Sequence, residues 1–292
     1  MLRIFIFLYL IFFTLNANAL DDCKWNIKNG VPCLIISKIN NTSKISEAGV
    51  NKIIINKQDI ENSGYTNLTD ILKTISGLNV YQSGDKGQSS SVFTRGAESN
   101  HTLVLLNGIS INDQSVTDGM HDFGQDFVQS IQQIEIYKGS GGAHFGPSAI
   151  AGAINFITAI NYTNSYSISG FDGRNNSVNG NYTKVTDNAW HLNINATGNQ
   201  SNLGSATADG TEDDGTFNKQ LNLNVEKWIN DNTKVRSTFY VRETRTYYDD
   251  MDYNGELGYV MDNTMQAVQT GIDRVSQNSE DSLTFHWHAY GK

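Results

Sequence analysis

The sequence predicts a small α+β domain followed by antiparallel strands of a transmembrane β-barrel. Three observations carry this reading. Residues 95–158 hold short apolar and β-branched runs broken at Arg95-Gly96, Asn107-Gly108 and Lys138-Gly139, the punctuation of a compact mixed domain. After residue 158 the texture changes to segments of about ten residues that alternate apolar or aromatic with small polar side chains. Beyond the amino terminus no run is apolar enough for a membrane-spanning helix, and a closed barrel is the other architecture that leaves no backbone group unpaired in hydrocarbon.

The amino terminus reads as an export signal. Met1-Leu2-Arg3 is a short positive region, residues 4–15 form an apolar stretch, and Ala17-Asn18-Ala19 is a small-residue cleavage site, so a mature chain is expected from Leu20. The stretch falls short of the ~20 apolar residues a spanning helix needs. Cys23 and Cys33 are the two cysteines of the chain. In an exported protein their close spacing predicts a disulfide within an arm over residues 20–50. Reduced thiols or a metal site are the alternative, although no histidine lies nearby.

The first domain, residues 51–158, opens with a β-branched run over residues 53–60, and Gly64 marks a turn. Asn67 is placed to cap a helix carrying Asp70, with Leu68, Ile71, Leu72 and Ile75 at i, i+3, i+4 and i+7 and a stop at Gly77. Residues 78–81 alternate as a strand, residues 82–91 form a polar loop, and a second strand passes through Val92, Phe93 and Arg95. Residues 102–106 are nearly all apolar, as a strand buried on both faces would be.

Residues 159–292 supply about seven strand candidates of the length barrels use. Tyr166, Ile168 and Gly170, then Trp190, Leu192, Ile194 and Ala196, then Leu221, Leu223 and Val225 each fall on one face. So do Val235, Ser237, Phe239 and Val241, and Leu283, Phe285 and Trp287. Short turns at residues 186–188 and 230–232 alternate with long polar stretches at residues 198–219 and 247–263, the outer-membrane pattern of short turns on one side and long loops on the other.

The order Arg95-Gly96, Thr102 to Gly108, Ile134 to Gly139, Phe145-Gly146 and Ala151 to Thr158 resembles the plug of TonB-dependent outer-membrane receptors over about residues 50–158. Asn107 stands where that family usually has Asp, and Ser140 where it has Pro; an Asn-Gly turn accepts positive φ as Asp-Gly does. The resemblance implies an α+β plug domain followed by an antiparallel transmembrane β-barrel in the outer membrane of a Gram-negative bacterium. Plugged transporters have about 22 strands, so the chain is expected to be the amino-terminal portion of a longer receptor, with a complete small barrel as the alternative.

Such a protein imports a scarce, bulky nutrient with energy delivered by TonB and its inner-membrane complex, and carries out no covalent chemistry. The coupling strand suits β-augmentation, with Leu34, Ile35, Ile36 and Ser37 as first candidates and Lys44, Ile45 and Ser46 as second; an ordinary leader has the same look. Ligand contacts are expected from loop tips at Gln82, Asp85, Gln88, Asn112, Asp113, Gln114, Asp118 and His121, although solvated loops share this composition. Arg95 and Glu135 are expected to pair inside the plug. Asp209, Glu212, Asp213 and Asp214 in one outer loop, and Asp249, Asp250 and Asp252 in the next, supply hard oxygens for Ca²⁺; a solvated acidic surface is the competing reading. Cobalamin receptors show similar acid-rich loops and a similar plug around residues 88–106, so a corrinoid cargo is favoured, with a ferric siderophore as runner-up. A surface binding protein or adhesin without TonB coupling is the alternative from another class.

Composition excludes other classes. A formal net charge of -9 and the lack of a basic stripe argue against nucleic-acid binding. Residues 139–142 superficially suit a nucleotide turn but no Lys-Ser/Thr follows.

Overall fold

The computed structural model describes residues 51–84, 86–113, 115–139, 145–146, 148–158, 163–171, 175–201, 215–249, 258–275 and 280–291. The expected signal peptide, Cys23, Cys33, Leu34, Ile35, Ile36, Ser37, Lys44, Ile45 and Ser46 lie outside them, as do Asp85, Gln114, Asp209, Glu212, Asp213, Asp214, Asp250 and Asp252. Asp249 ends a strand, its side chain also outside the described set.

Strand β1 (Asn51–Asn56) leads directly into helix α1 (Lys57–Ser63), so the β-branched run expected over residues 53–60 divides in two. Local capping explains the break: the Asp59 carboxylate accepts the Asn56 backbone N–H at 3.1 Å, and Gly64 closes the helix at φ 70°. Helix α2 (Leu68–Lys73) buries Leu68, Ile71 and Leu72 as the spacing required, but it ends before Gly77. Asn67 holds its N-cap position without a side-chain cap bond.

β2 (Leu78–Gln82) and β3 (Ser90–Thr94) form a hairpin, with Ser90 and Ser91 already in the strand rather than in the loop. β4 (Thr102–Leu106), β5 (Ile109–Ser110), β6 (Gln133–Lys138) and β7 (Gly152–Ile157) join β1 in a five-stranded sheet ordered β1-β6-β7-β4-β5. β4 is buried at every position and runs parallel to β7. Val104 and Leu106 pack with Leu68, Leu72, Val92, Phe123, Ile134 and Phe156, while Leu103 and Leu105 meet Ala149 and Ala153 behind the sheet. Between β4 and β5 the two-residue turn Asn107-Gly108 has φ 50° and 84°. A type I′ hairpin turn demands positive φ at both positions, and Asn-Gly meets that demand at least strain.

The second sheet contains β8 (Ser165–Phe171), β9 (Asn175–Val185), β10 (Trp190–Ser201), β11 (Thr216–Asn230), β12 (Thr233–Asp249), β13 (Gly258–Val275) and β14 (Glu280–Gly291), all antiparallel in sequence order. β10, β11, β12 and β13 run well into the stretches that composition marks as loops. Continuous backbone pairing, such as Ser201 with Thr216 and Thr216 with Thr246, holds these polar segments extended.

The alternation is inverted relative to a water-soluble sheet. On β10 the buried face carries His191, Asn193, Asn195 and Thr197, while Trp190, Leu192, Ile194 and Ala196 face outward. Tyr166 and Ile168 on β8 are 86% and 85% exposed. Polar-in, apolar-out strands are the lipid-facing arrangement of a membrane barrel. At the end with short turns Lys227 lies over the Trp190 ring at 4.8 Å, an amphipathic pair suited to the membrane–water boundary.

The first domain sits against the polar face of this wall. Asn222 Nδ2 donates to Thr158 Oγ1 at 2.7 Å, Asn218 Nδ2 to the Gln125 carbonyl at 3.0 Å, and Gln220 bonds Ser130. Tyr240, Met265 and Ala267 of the wall join the domain's apolar core.

Candidate functional site: the apical loops and their seat in the wall

Two loops form the candidate site: residues 83–89 between β2 and β3, which lie beside Thr216 and Tyr247 of β11 and β12, and residues 111–121 after β5. The first is anchored by Gln88, whose Nε2 donates to the Tyr247 carbonyl at 2.7 Å. It also presses its backbone on Gly124, where a Cβ would stand 1.9 Å from the Gln88 carbonyl oxygen.

The expected contact residues separate by environment. Gln82 and Asp118 remain at the surface, Gln82 accepting from Lys73 Nζ at 3.0 Å. Gln88, Asp113 and His121 are buried. Asn112 braces the second loop, accepting the Val104 N–H at 2.8 Å and donating to the Thr102 and Gly119 carbonyls at 3.2 Å each. Asp113 accepts the N–H and hydroxyl of Ser115 at 2.8 and 2.6 Å. Short polar side chains in tight loops satisfy nearby backbone first, so Gln88, Asn112, Asp113 and His121 shape the apex from within instead of projecting from its tip. Tyr81, 67% exposed beside the first loop, is a surface aromatic that loop composition did not reveal; its outward place in the alternation of β2 was the available signal.

Beneath the loops lies a buried ion cluster. His121 directs Nδ1 to the Ile111 carbonyl at 2.9 Å and Nε2 to Asp126 Oδ2 at 2.5 Å. Arg242 of β12 places Nη1 2.5 Å from Asp126 Oδ1 and Nη2 3.0 Å from Gln125 Oε1. Asp122 accepts the N–H groups of Ser90 and Gly124 at 2.9 and 3.0 Å and Gln125 Nε2 at 3.1 Å. Burial raises the Asp126 carboxyl, but the His121 and Arg242 charges and their hydrogen bonds outweigh it and hold the group below the ordinary carboxylate range. For Asp122 burial prevails over the same kinds of contact, and the group is raised.

The expected pairing of Arg95 with Glu135 is not formed. Glu135 takes Lys52 Nζ at 2.9 Å and the side chains of Gln133, Tyr137 and Asn155 at 3.1, 3.1 and 3.2 Å. Arg95 turns away at φ 53°, its side chain lying against Gly77 and Gly139. Among the described residues no three His, Cys, Asp or Glu side chains form a metal-binding group.

A mixed domain seated on the polar face of an inside-out strand wall is the arrangement of a plug domain against barrel strands. Residues 44–153 match the family profile described as TonB-dependent Receptor Plug Domain, and antiparallel strands follow that region. Over 114 residues, 39% of this chain and 18% of the relative, it is 42% identical to a vitamin B12 transporter, BtuB, of Vibrio vulnificus strain CMCP6. The protein of the same name in strain YJ016 is 43% identical over 105 residues, 36% of this chain and 17% of the relative. These matches span less than a fifth of the relatives' length. Among solved structures, the siderophore receptor PirA from Acinetobacter baumannii shares the fold at TM-score 0.67 and 18% identity, over 82% of this chain and 40% of that one. The ferric yersiniabactin uptake receptor FyuA from Yersinia pestis does so at TM-score 0.67 and 17% identity, over 84% and 41%.

Proposed function

We propose that this protein is a receptor for energy-coupled import across the outer membrane, with TonB as its periplasmic partner and a cobalamin-type corrinoid as its cargo. The observation that carries the cargo is the 42% identity over 114 residues to a vitamin B12 transporter.

Calcium would be held by Asp209, Glu212, Asp213 and Asp214 together with Asp249, Asp250 and Asp252, an all-oxygen donor set that suits a hard cation. Coupling to TonB would use residues 34–37 as an added strand.

Equilibrium binding of cyanocobalamin and of ferric chelates to the purified full-length gene product tests the cargo, and uptake by cells with and without TonB tests the coupling. Tight cyanocobalamin binding with TonB-dependent uptake is expected. Tight binding of a ferric chelate with none of cyanocobalamin would overturn the corrinoid reading, and uptake indifferent to TonB would overturn the coupling.

A further inference from the structure

The plug does not meet the wall evenly. Along β11 it is tied at three successive inward positions: Asn218 to the Gln125 carbonyl at 3.0 Å, Gln220 to Ser130, and Asn222 to Thr158 at 2.7 Å. One position further toward the short-turn end, Asn224 reaches the plug at 3.4 Å to Thr158 and 3.5 Å to Asn107, long for hydrogen bonds. There a cavity of about 340 Å³ opens between plug and wall, with the Asn107-Gly108 turn and Asn155 on one side and Glu226, Lys234 and Arg236 on the other. The charges find partners within the wall. Arg236 Nε donates to Asp273 Oδ2 at 2.9 Å and Nη1 to Gln269 Oε1 at 2.7 Å, while Lys234 lies 3.6 Å from Glu226 and 3.9 Å from Asp273. A space of that size and polarity admits water. Parting plug from wall here leaves the charges their wall partners. Parting them at Asn218 to Asn222 breaks amide hydrogen bonds, and parting them at Tyr240, Met265 and Ala267 uncovers the shared apolar core.

We infer that the cargo leaves through this seam, between the Asn107-Gly108 turn and strands β11 and β12, and that the seam widens while the plug stays tied to β11 at Asn218, Gln220 and Asn222. The resting cavity stands at the low end of ligand-sized spaces, so a bulky cargo crosses only when the turn swings away from the wall. The turn is suited to that movement, because it leads into β5, a two-residue strand at the edge of the plug sheet. Short turns face the periplasm in an outer-membrane barrel, which puts the seam on the delivery side. Its two acids, Glu226 and Asp273, balance its two bases, Lys234 and Arg236. A lining without net charge neither traps nor repels a charged group in transit. This deepens the receptor reading and rests on it for its cargo.

The test places cross-links on either side of the seam in the full-length gene product, in cells, with Cys23→Ser and Cys33→Ser as background. Asn155→Cys with Lys234→Cys, joined by a cleavable bifunctional thiol reagent, bridges the cavity. Thr158→Cys with Asn222→Cys, whose parent side chains touch, forms a disulfide on the tied side. The seam bridge should lower cyanocobalamin uptake at least about tenfold with equilibrium binding unchanged, and cleaving it should restore uptake. The tied-side disulfide should leave uptake within about twofold of the same variant reduced. Assembly of each variant is verified by its folded, unheated migration on gels; if the tied-side pair fails to assemble, Ser130→Cys with Gln220→Cys takes its place. Undiminished uptake through the bridged seam, or an equal block from the tied-side disulfide, overturns this route. Absent cyanocobalamin binding by the parent protein would overturn the cargo instead, and the same cross-links are then read with the ferric chelate it imports.

Discussion

Arg242 and Asp126 stand 116 positions apart in the chain and 2.5 Å apart in the structure, the arginine on a barrel strand and the aspartate in the plug. Neither is exposed by more than a few per cent of its surface. Removing one partner of a buried pair strands the other, at about 3–5 kcal/mol, so this contact is where plug and wall are most sensitive to single substitutions.

The pair has a defined acid dependence. Because the Asp126 carboxyl is held below its ordinary value, its contribution is complete above the ordinary carboxylate range near pH ~4 and is lost progressively as pH falls from there through the lowered value. His121, Arg242 and Tyr240 are the titratable or charged groups that bear on it. Thermal melting of the parent protein and Asp126→Asn should therefore differ by a constant interval from pH 7 to about 4 and converge below that. A gap that closes already between pH 7 and 5 would contradict this assignment.

Asn107 joins the plug to its own exit segment. Its Nδ2 donates to Thr158 Oγ1 at 2.8 Å and its Oδ1 accepts the Thr158 N–H at 2.9 Å. Asn107→Ala removes both bonds and adds strain at φ 50°, and a loss of about 1–3 kcal/mol is expected in denaturant unfolding. A change under about 0.5 kcal/mol would show that the turn is held by Gly108 alone.

Tyr81 offers the opposite behaviour. With two-thirds of its surface exposed, Tyr81→Ala should alter stability by no more than about 0.5 kcal/mol while weakening cyanocobalamin binding several-fold. Unchanged affinity would remove it from the ligand-facing surface.

Calcium ordering of the outer loops predicts a rise in melting temperature on titration to millimolar calcium, abolished in Asp213→Asn combined with Asp250→Asn. A flat titration leaves those carboxylates as solvated charge.

Hydrophobic spacing announced helix α2 and the outward faces of β10, β11 and β12, which follow from periodicity, and an unbroken apolar run announced the buried strand β4. Helix α1 was hidden, since Ile53, Ile54 and Ile55 set a β-branched texture that one capping box at Asn56 and Asp59 overrides. The apex was legible as loops but not as chemistry. Whether Asn112 or His121 meets a ligand or a neighbouring carbonyl depends on contacts between segments far apart in sequence, such as Asn112 with Thr102 and His121 with Asp126. One signal was available: with Val235, Phe239 and Val241 on the outer face, strand parity turns Arg242 inward between Tyr240 and Thr244, and a buried cation beside uncharged neighbours needs an anionic partner.

The inside-out alternation of the wall gives β10 and β11 a tolerance map that is the mirror image of a water-soluble protein's. Exchanging Leu192 or Ile194 for any other oily residue should pass unnoticed, because fluid acyl chains mould themselves to whatever shape they meet. Exchanging Asn218 or Asn222 for that same residue should be severe, since the plug they grip is solid and does not remould.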